Sequence, residues 1–188
     1  MDKGPDVDAE MLYAGQHLEL VRKGHWEFAH RAQSRSVVGI VAVTDEDELL
    51  LVEQHRPPVG QSVIELPAGL VGDEVPDEDL LDATRRELEE ETGYTAAEAR
   101  VLCRVPSSAG LTDEIVTLVR ASKLKQVSSG GGVDDEEITV HRVPVTEASA
   151  WLANRVTEDR LIDPRVFAAL WWLKQEKQGL RTLSKGSE

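Results

Sequence analysis

Residues 84–94 read TRRELEEETGY and crowd four glutamates, Glu87, Glu89, Glu90 and Glu91, into five positions. Like charges at i, i+4 spacing repel by roughly 0.2–0.5 kcal/mol per pair, so the run is either a solvated helix face or a face with a compensating ligand. Leu80, Leu81, Ala83, Thr84 and Leu88 form an apolar stripe at helical spacing, and Gly93 offers a C-cap, so the pattern predicts a helix over 79–92. At about 100° per residue, Glu87, Glu90 and Glu91 share a sector of roughly 100°, while Glu89 points elsewhere. Three converging carboxylates suit a hard cation such as Mg2+, which takes oxygen ligands and bridges carboxylate to phosphate. Arg86 is expected to face away from the ions and to steady the turn by pairing with a carboxylate.

At 188 residues and 40% apolar composition, the chain is sized for one well-packed domain. Its formal charge of −14 argues against nucleic acid or an anionic membrane as partner. A small anion could still be held if arginines or metal cations offset the acidic field. The single Cys103 lies in the apolar run ARVLCRV and reads as a buried core thiol. The leader MDKGPDVDAE has no apolar core segment, and no stretch approaches a membrane span, so a cytoplasmic protein is expected.

Outward from the glutamates, the organisation alternates between strands and helices. A loose acidic leader (1–14) precedes HLELVRKGHWEFAHR, a hairpin turning at Arg22 to Gly24 within 15–32. The main domain is placed at 33–178, with a frayed tail at 179–188. VVGIVAV (37–43) and ELLLVEQ (48–54) read as buried antiparallel strands around TDED, and SVIELP as a shorter strand ending at Pro67. Strands are expected again at 99–105, 114–121 and 137–143, then helices over TEASAWLANRV and DPRVFAALWWLKQEK. Trp171 and Trp172 on the last helix are expected to pack against the core.

The positions Gly72, Glu78, Arg86, Glu87, Leu88, Glu90, Glu91, Gly93 and Tyr94 match the fixed positions of the Nudix box, G-x5-E-x7-R-E-U-x-E-E-x-G-U. Tyr94 stands where an aliphatic residue is usual. GLVGDEVPDED is longer than the usual loop, which leaves Gly69 or Gly72 as the structural glycine. The segment QHRPPVGQSVIELPAGL and the hairpin WEFAHR resemble the ADP-ribose and ADP-sugar pyrophosphatase branch of that superfamily. This resemblance implies a Nudix α/β/α sandwich with a mixed sheet, preceded by an N-terminal β-hairpin used in dimerisation. It implies Mg2+- or Mn2+-dependent hydrolysis of a nucleoside diphosphate sugar, ADP-ribose or a related ADP-sugar, to AMP and a sugar phosphate. It further implies a homodimer in which the hairpin is exchanged between subunits. By the same likeness the Ala68 carbonyl, Glu87, Glu90 and Glu91 would hold metal and Arg56 the diphosphate. Trp26 would stack on adenine, Glu27 would accept from its amino group, and Arg31, Leu70 and Glu114 would also meet substrate.

The residues by themselves leave alternatives. Trp26 is also readable as a cross-strand packing residue, Arg56 before Pro57 as a turn residue, and Glu114 as a loop-to-strand cap. Glu65 could face solvent or substrate. The histidines, His17, His25, His30, His55 and His141, show no metal-ligand spacing. Because ligated carboxylates are poor bases, the proton acceptor is sought in GGGVDDEEITV, whose glycines would let the loop swing; Glu136 is the expected base among residues 134–137. Another Nudix substrate, such as a GDP-sugar or dinucleoside polyphosphate, and a non-catalytic nucleotide sensor remain as alternatives.

Overall fold

The computed structural model describes residues 9–32, 36–72, 78–132 and 137–179. It begins with an antiparallel three-stranded sheet of β1 (Glu10–Ala14), β2 (Leu18–Lys23) and β3 (Trp26–Arg31). The expected hairpin is present, but its turn is Gly24 and His25 rather than Arg22 to Gly24, since Arg22 and Lys23 pair with Glu27 and Trp26. Gly24 sits at φ 61°, the left-handed conformation that a two-residue hairpin turn requires at its first position. Residues 10–14 correct the loose-leader expectation, because they pair with β2 along Glu10–Arg22 to Ala14–Glu19. Its side chains stay largely exposed, so the strand is held by backbone pairing with β2 rather than by burial.

The strands β4 (Val37–Ala42) and β5 (Glu48–Arg56) are buried as expected but do not form a two-stranded hairpin. Around the turn they share only the bridge Val43–Leu49. The remaining strands are β6 (Gln61–Glu65), β7 (Ala68–Leu70), β8 (Tyr94–Pro106), β9 (Ile115–Gln126), β10 (Thr139–Pro144) and β11 (Arg160–Ile162). One sheet runs β7-β4-β9-β8 and the other β10-β5-β6-β11. Both edges of β4 are taken, by β7 antiparallel and β9 parallel, and both edges of β5 by β10 and β6. That is why the two runs separate into different sheets.

Among the described residues three helices complete the sandwich: α1 (Leu80–Thr92), α2 (Ala148–Ala153) and α3 (Pro164–Lys177). Strand β4 shows how the layers are divided. Val38, Ile40 and Ala42 enter a cluster with Leu50 and with Leu88 of α1, while Val37 and Val41 enter a second cluster with Leu152 of α2 and Val166, Ala169 and Leu173 of α3. Alternate side chains leave a strand on opposite faces, so continuous apolar sequence here means burial on both. Gly39 interrupts the run where a Cβ would stand 3.0 Å from Leu118 Cδ2 and 3.3 Å from Val116 Cγ1.

Successive helical residues cannot both face the core. Trp172 packs on the α2/α3 cluster, whereas Trp171 is exposed and meets Trp172 edge-on at 4.9 Å, correcting the expectation that both pack inward. Cys103 is half-buried beside a bulge in β8. Among the described residues, no helix is long and apolar enough to cross a membrane.

Candidate active site

Helix α1 is fixed at both ends by its own sequence. The Asp79 side chain accepts from the amides of Leu81 and Asp82 at 2.8 and 2.9 Å, and Gly93 closes the helix at φ 77°. Leu88, fully buried, sets the helix's rotation. With that face inward, Glu87, Glu90 and Glu91 reach one cleft and Glu89 is left exposed.

Strand β7 supplies the adjoining wall. Glu91 accepts the Ala68 amide at 3.0 Å, and the Glu87 carboxylate lies so close to Gly69 that any Cβ there would overlap it. Gly72 serves the loop instead, where at φ 76° its amide donates to Glu78 Oε2 at 3.1 Å. Both glycines are therefore structural, for separate reasons. The oxygen donors gathered at Ala68, Glu87, Glu90 and Glu91 suit a hard divalent cation, and the absence of a side chain at Gly69 is what admits Glu87.

Arg86 does not face away from this cluster. Its guanidinium donates to Glu78 at 3.0 and 3.1 Å, to Glu87 at 3.0 Å, to Glu90 at 3.1 Å and to the Leu70 carbonyl at 3.0 Å. Glu78 returns over the helix after the loop, and Glu90 lies one turn away, so the arginine is drawn into the acidic field. The Glu78 carboxyl is held below the usual carboxylate range by hydrogen bonding from Arg86, against the cost of burial and with help from the Gly72 amide. Arg86 is correspondingly pushed up, chiefly by Glu78. Among the described residues no three His, Cys, Asp or Glu side chains form a ready metal cage, and any cation bound here would share Glu87 and Glu90 with Arg86.

The cleft measures about 500 Å³ and is also lined by Arg31, Arg56, Glu65, Leu70, Glu114 and Arg165. Each of these arginines is held by a carboxylate. Arg31 Nε donates to Glu114 at 2.7 Å and Arg56 Nε to buried Glu65 at 2.7 Å. Arg165 makes a forked pair with Asp163 at 2.8 and 2.7 Å. Such planar forks match phosphate oxygens. Glu65 thus faces the site, not solvent. Arg165 lies outside the residues expected from sequence, although a signal exists there: a cation in the first turn of a helix opposes the helix dipole and calls for another reason to be present.

Ala68, Leu70, Glu87, Glu90, Glu91, Arg31, Arg56 and Glu114 are therefore brought together, and Trp26 and Glu27 are not. Glu27 pairs with Arg22 at 2.9 Å on the exposed hairpin. Trp26, 56% exposed, borders a separate hollow of about 540 Å³ with His25, Phe28, Ala109 and Gly110. The hairpin's base is clamped to its own chain by His30–Asp113 at 2.7 Å and by Ala29 N to Leu111 O at 2.8 Å. Glu136 lies outside the described residues. The glycines before it are less free than their composition suggests, since Gly131 N and Gly132 N donate to the Glu91 and Glu90 carbonyls at 2.9 and 3.1 Å.

Residues 33–166 match the NUDIX domain family. An ADP-ribose pyrophosphatase of Bacillus subtilis is 35% identical over 93% of this chain and 94% of its own. A methanol dehydrogenase activator of Bacillus methanolicus is 31% identical over 91% of this chain and 92% of its own. The crystal structure of an ADP compounds hydrolase superposes with a TM-score of 0.71 at 18% identity, covering 94% of this chain and 95% of that one, and so shares the fold.

Proposed function

The chain belongs to the Nudix family, and from that premise we propose that it hydrolyses the diphosphate bond of ADP-ribose or a related ADP-sugar to AMP and a sugar phosphate. It is a Nudix hydrolase, and the retained box carboxylates leave the non-catalytic sensor without support. The finding that carries the substrate reading is a single cleft lined by Glu87, Glu90 and Glu91 together with Arg31, Arg56 and Arg165.

In this reading the Ala68 carbonyl, Glu87, Glu90 and Glu91 hold Mg2+, or Mn2+ in its place. A divalent cation held there would supply charge neutralisation at the phosphate oxygens and a lowered pKa for a bound water. Arg56 keeps its Nε on Glu65 and presents the rest of its fork to the diphosphate, stabilising charge as the bond to the leaving phosphate breaks. Arg31, Leu70 and Glu114, which line the same cleft, meet the substrate in this reading, with Glu114 toward the terminal ribose, and Glu136 accepts the proton of the water. Trp26 and Glu27 select adenine from a partner subunit of a cytoplasmic homodimer. Their position outside this chain's own cleft supports that assignment, as do exposed Met11, Tyr13, Leu18 and Leu20 on the same small sheet.

Product release from ADP-ribose, ADP-glucose, GDP-mannose and diadenosine polyphosphates, each with Mg2+ and with EDTA, tests the proposal. ADP-ribose should give the highest kcat/KM, with AMP as product, and EDTA should abolish turnover. GDP-mannose belongs in the panel because a GDP-mannose pyrophosphatase of Klebsiella pneumoniae is 36% identical over 52% of this chain. Faster turnover of GDP-mannose than of any ADP-sugar would move the substrate to that class.

A further inference from the structure

Glu65 is a buried carboxylate with two arginines on it. Its Oε2 accepts from Arg56 Nε at 2.7 Å, and its Oε1 lies 3.6 Å from an Arg165 terminal nitrogen. The two arginines differ in how firmly they are held. The Arg56 side chain is 42% exposed at the end of β5, whereas Arg165 is 22% exposed and locked by the forked Asp163 pair. Asp163 is itself the N-cap of α3, accepting the Arg165 amide at 2.7 Å. A chain of charge therefore runs from the end of α3 through Asp163, Arg165 and Glu65 to Arg56.

Resting on the diphosphate role given to Arg56, we infer that Arg165 is a positioning residue, which fixes the aim of Arg56 by holding the far oxygen of Glu65. A carboxylate out of water is strongly disfavoured when it loses one of its partners. With Arg165 present, Glu65 divides its oxygens between two cations and draws on Arg56 through Nε alone. Without it, both oxygens turn to Arg56, and the guanidinium edge meant for phosphate is consumed by Glu65. The burial of Arg165 beside the α3 N-terminus, where its charge is disfavoured by the helix dipole, is accounted for by this duty.

The test is a double-mutant cycle on ADP-ribose at saturating Mg2+, with R165Q, R165K, R56K and R165Q/R56K. R165Q should lower kcat/KM by roughly 10- to 100-fold, and R165K should recover most of that loss. In the R56K background R165Q should cost no more than about 3-fold, because the group it positions is already altered. Calorimetric binding of ADP should show the same coupling, and it reads the arginines even if the parent turns over no ADP-ribose, which would instead count against the proposed function. E65Q, which keeps shape, stands in if R165Q does not fold and should couple to R56K in the same way. Fully multiplicative losses in both kinetics and binding, or an R165Q enzyme within about 2-fold of the parent, would overturn the inference.

Discussion

Gly69 and the Glu87 carboxylate are packed so closely that a Cβ on residue 69 would overlap all three carboxyl atoms. The obstructed group is the end of a flexible side chain, so Gly69→Ala can fold by turning Glu87 out of the cleft. We expect kcat/KM to fall roughly 10²-fold or more, as misplaced catalytic groups do, with a thermal midpoint close to the parent's. Undiminished turnover in that variant would show that Glu87 is not needed where it lies.

Glu90→Gln and Glu91→Gln retain size and remove charge. Each should reduce turnover by roughly 10²-fold at saturating Mg2+, while exposed Glu89→Gln should match the parent. Relief of like-charge repulsion is not expected to stabilise the Glu90 variant, because Arg86 already pairs with Glu90 at 3.1 Å. Two active variants, with steady-state rates near the parent's, would end the metal role of this helix.

Trp26→Ala should raise KM more than it lowers kcat, since stacking contributes roughly 1–3 kcal/mol per base and the base is remote from the reacting phosphorus. If the hairpins serve each other's sites, mixing Trp26→Ala with Glu91→Gln restores activity through one intact composite site. Failure to recover, once subunit exchange has been demonstrated by mass spectrometry, sinks the shared-site reading.

Glu136→Gln should lower kcat by roughly 10²- to 10⁴-fold with little change in ADP-ribose affinity, the pattern of a lost general base. Glu137, which is exposed, should tolerate the same change. Rapid-quench rates that reverse this order would reassign the base.

Glu53 provides a test of pH dependence away from the cleft. Burial pushes its carboxyl up, but hydrogen bonds from His141 at 2.8 Å and Arg160 at 2.7 Å prevail and hold it below its ordinary value of 4.5. A folded value beneath the unfolded one makes this contribution complete above about pH 4.5 and lost as pH falls through the folded value. Glu53→Gln should therefore be less stable than the parent near neutrality, by roughly 1–3 kcal/mol, with the gap closing in acid. Urea midpoints separated equally at every pH would contradict it.

What is legible in the sequence is what depends on local spacing. The apolar stripe through Leu88 and the Gly93 C-cap lie within one segment, so the box helix and the direction of its glutamates can be read directly. Arg86 escapes such a reading because its direction is decided by Glu78 and the Leu70 carbonyl, which only the returning loop brings near. Arg165, on the last helix, reaches Glu65 at the end of β6, and no periodicity reports a meeting between elements so far apart in the chain. Strand β1 (EMLYA) escapes the reading because its run is too short for a clear alternation and its apolar side chains stay largely exposed, so burial does not mark it.

Gly39 has a bearing on catalysis that its distance in sequence from the glutamates conceals. For a strand buried on both faces, a slip of one residue exchanges one apolar surface for another, so hydrophobicity alone barely distinguishes the correct alignment. Leu118 and Val116 press on this position, so glycine fits without displacing them, whereas Val38 or Ile40 placed there would have to push them aside, which favours the observed alignment. The same alignment sets Gly39 opposite Ala68 and Val38 opposite Gly69. A missing side chain in the core thus acts as the alignment key that brings the backbone beside Glu87 and Glu91 to its place.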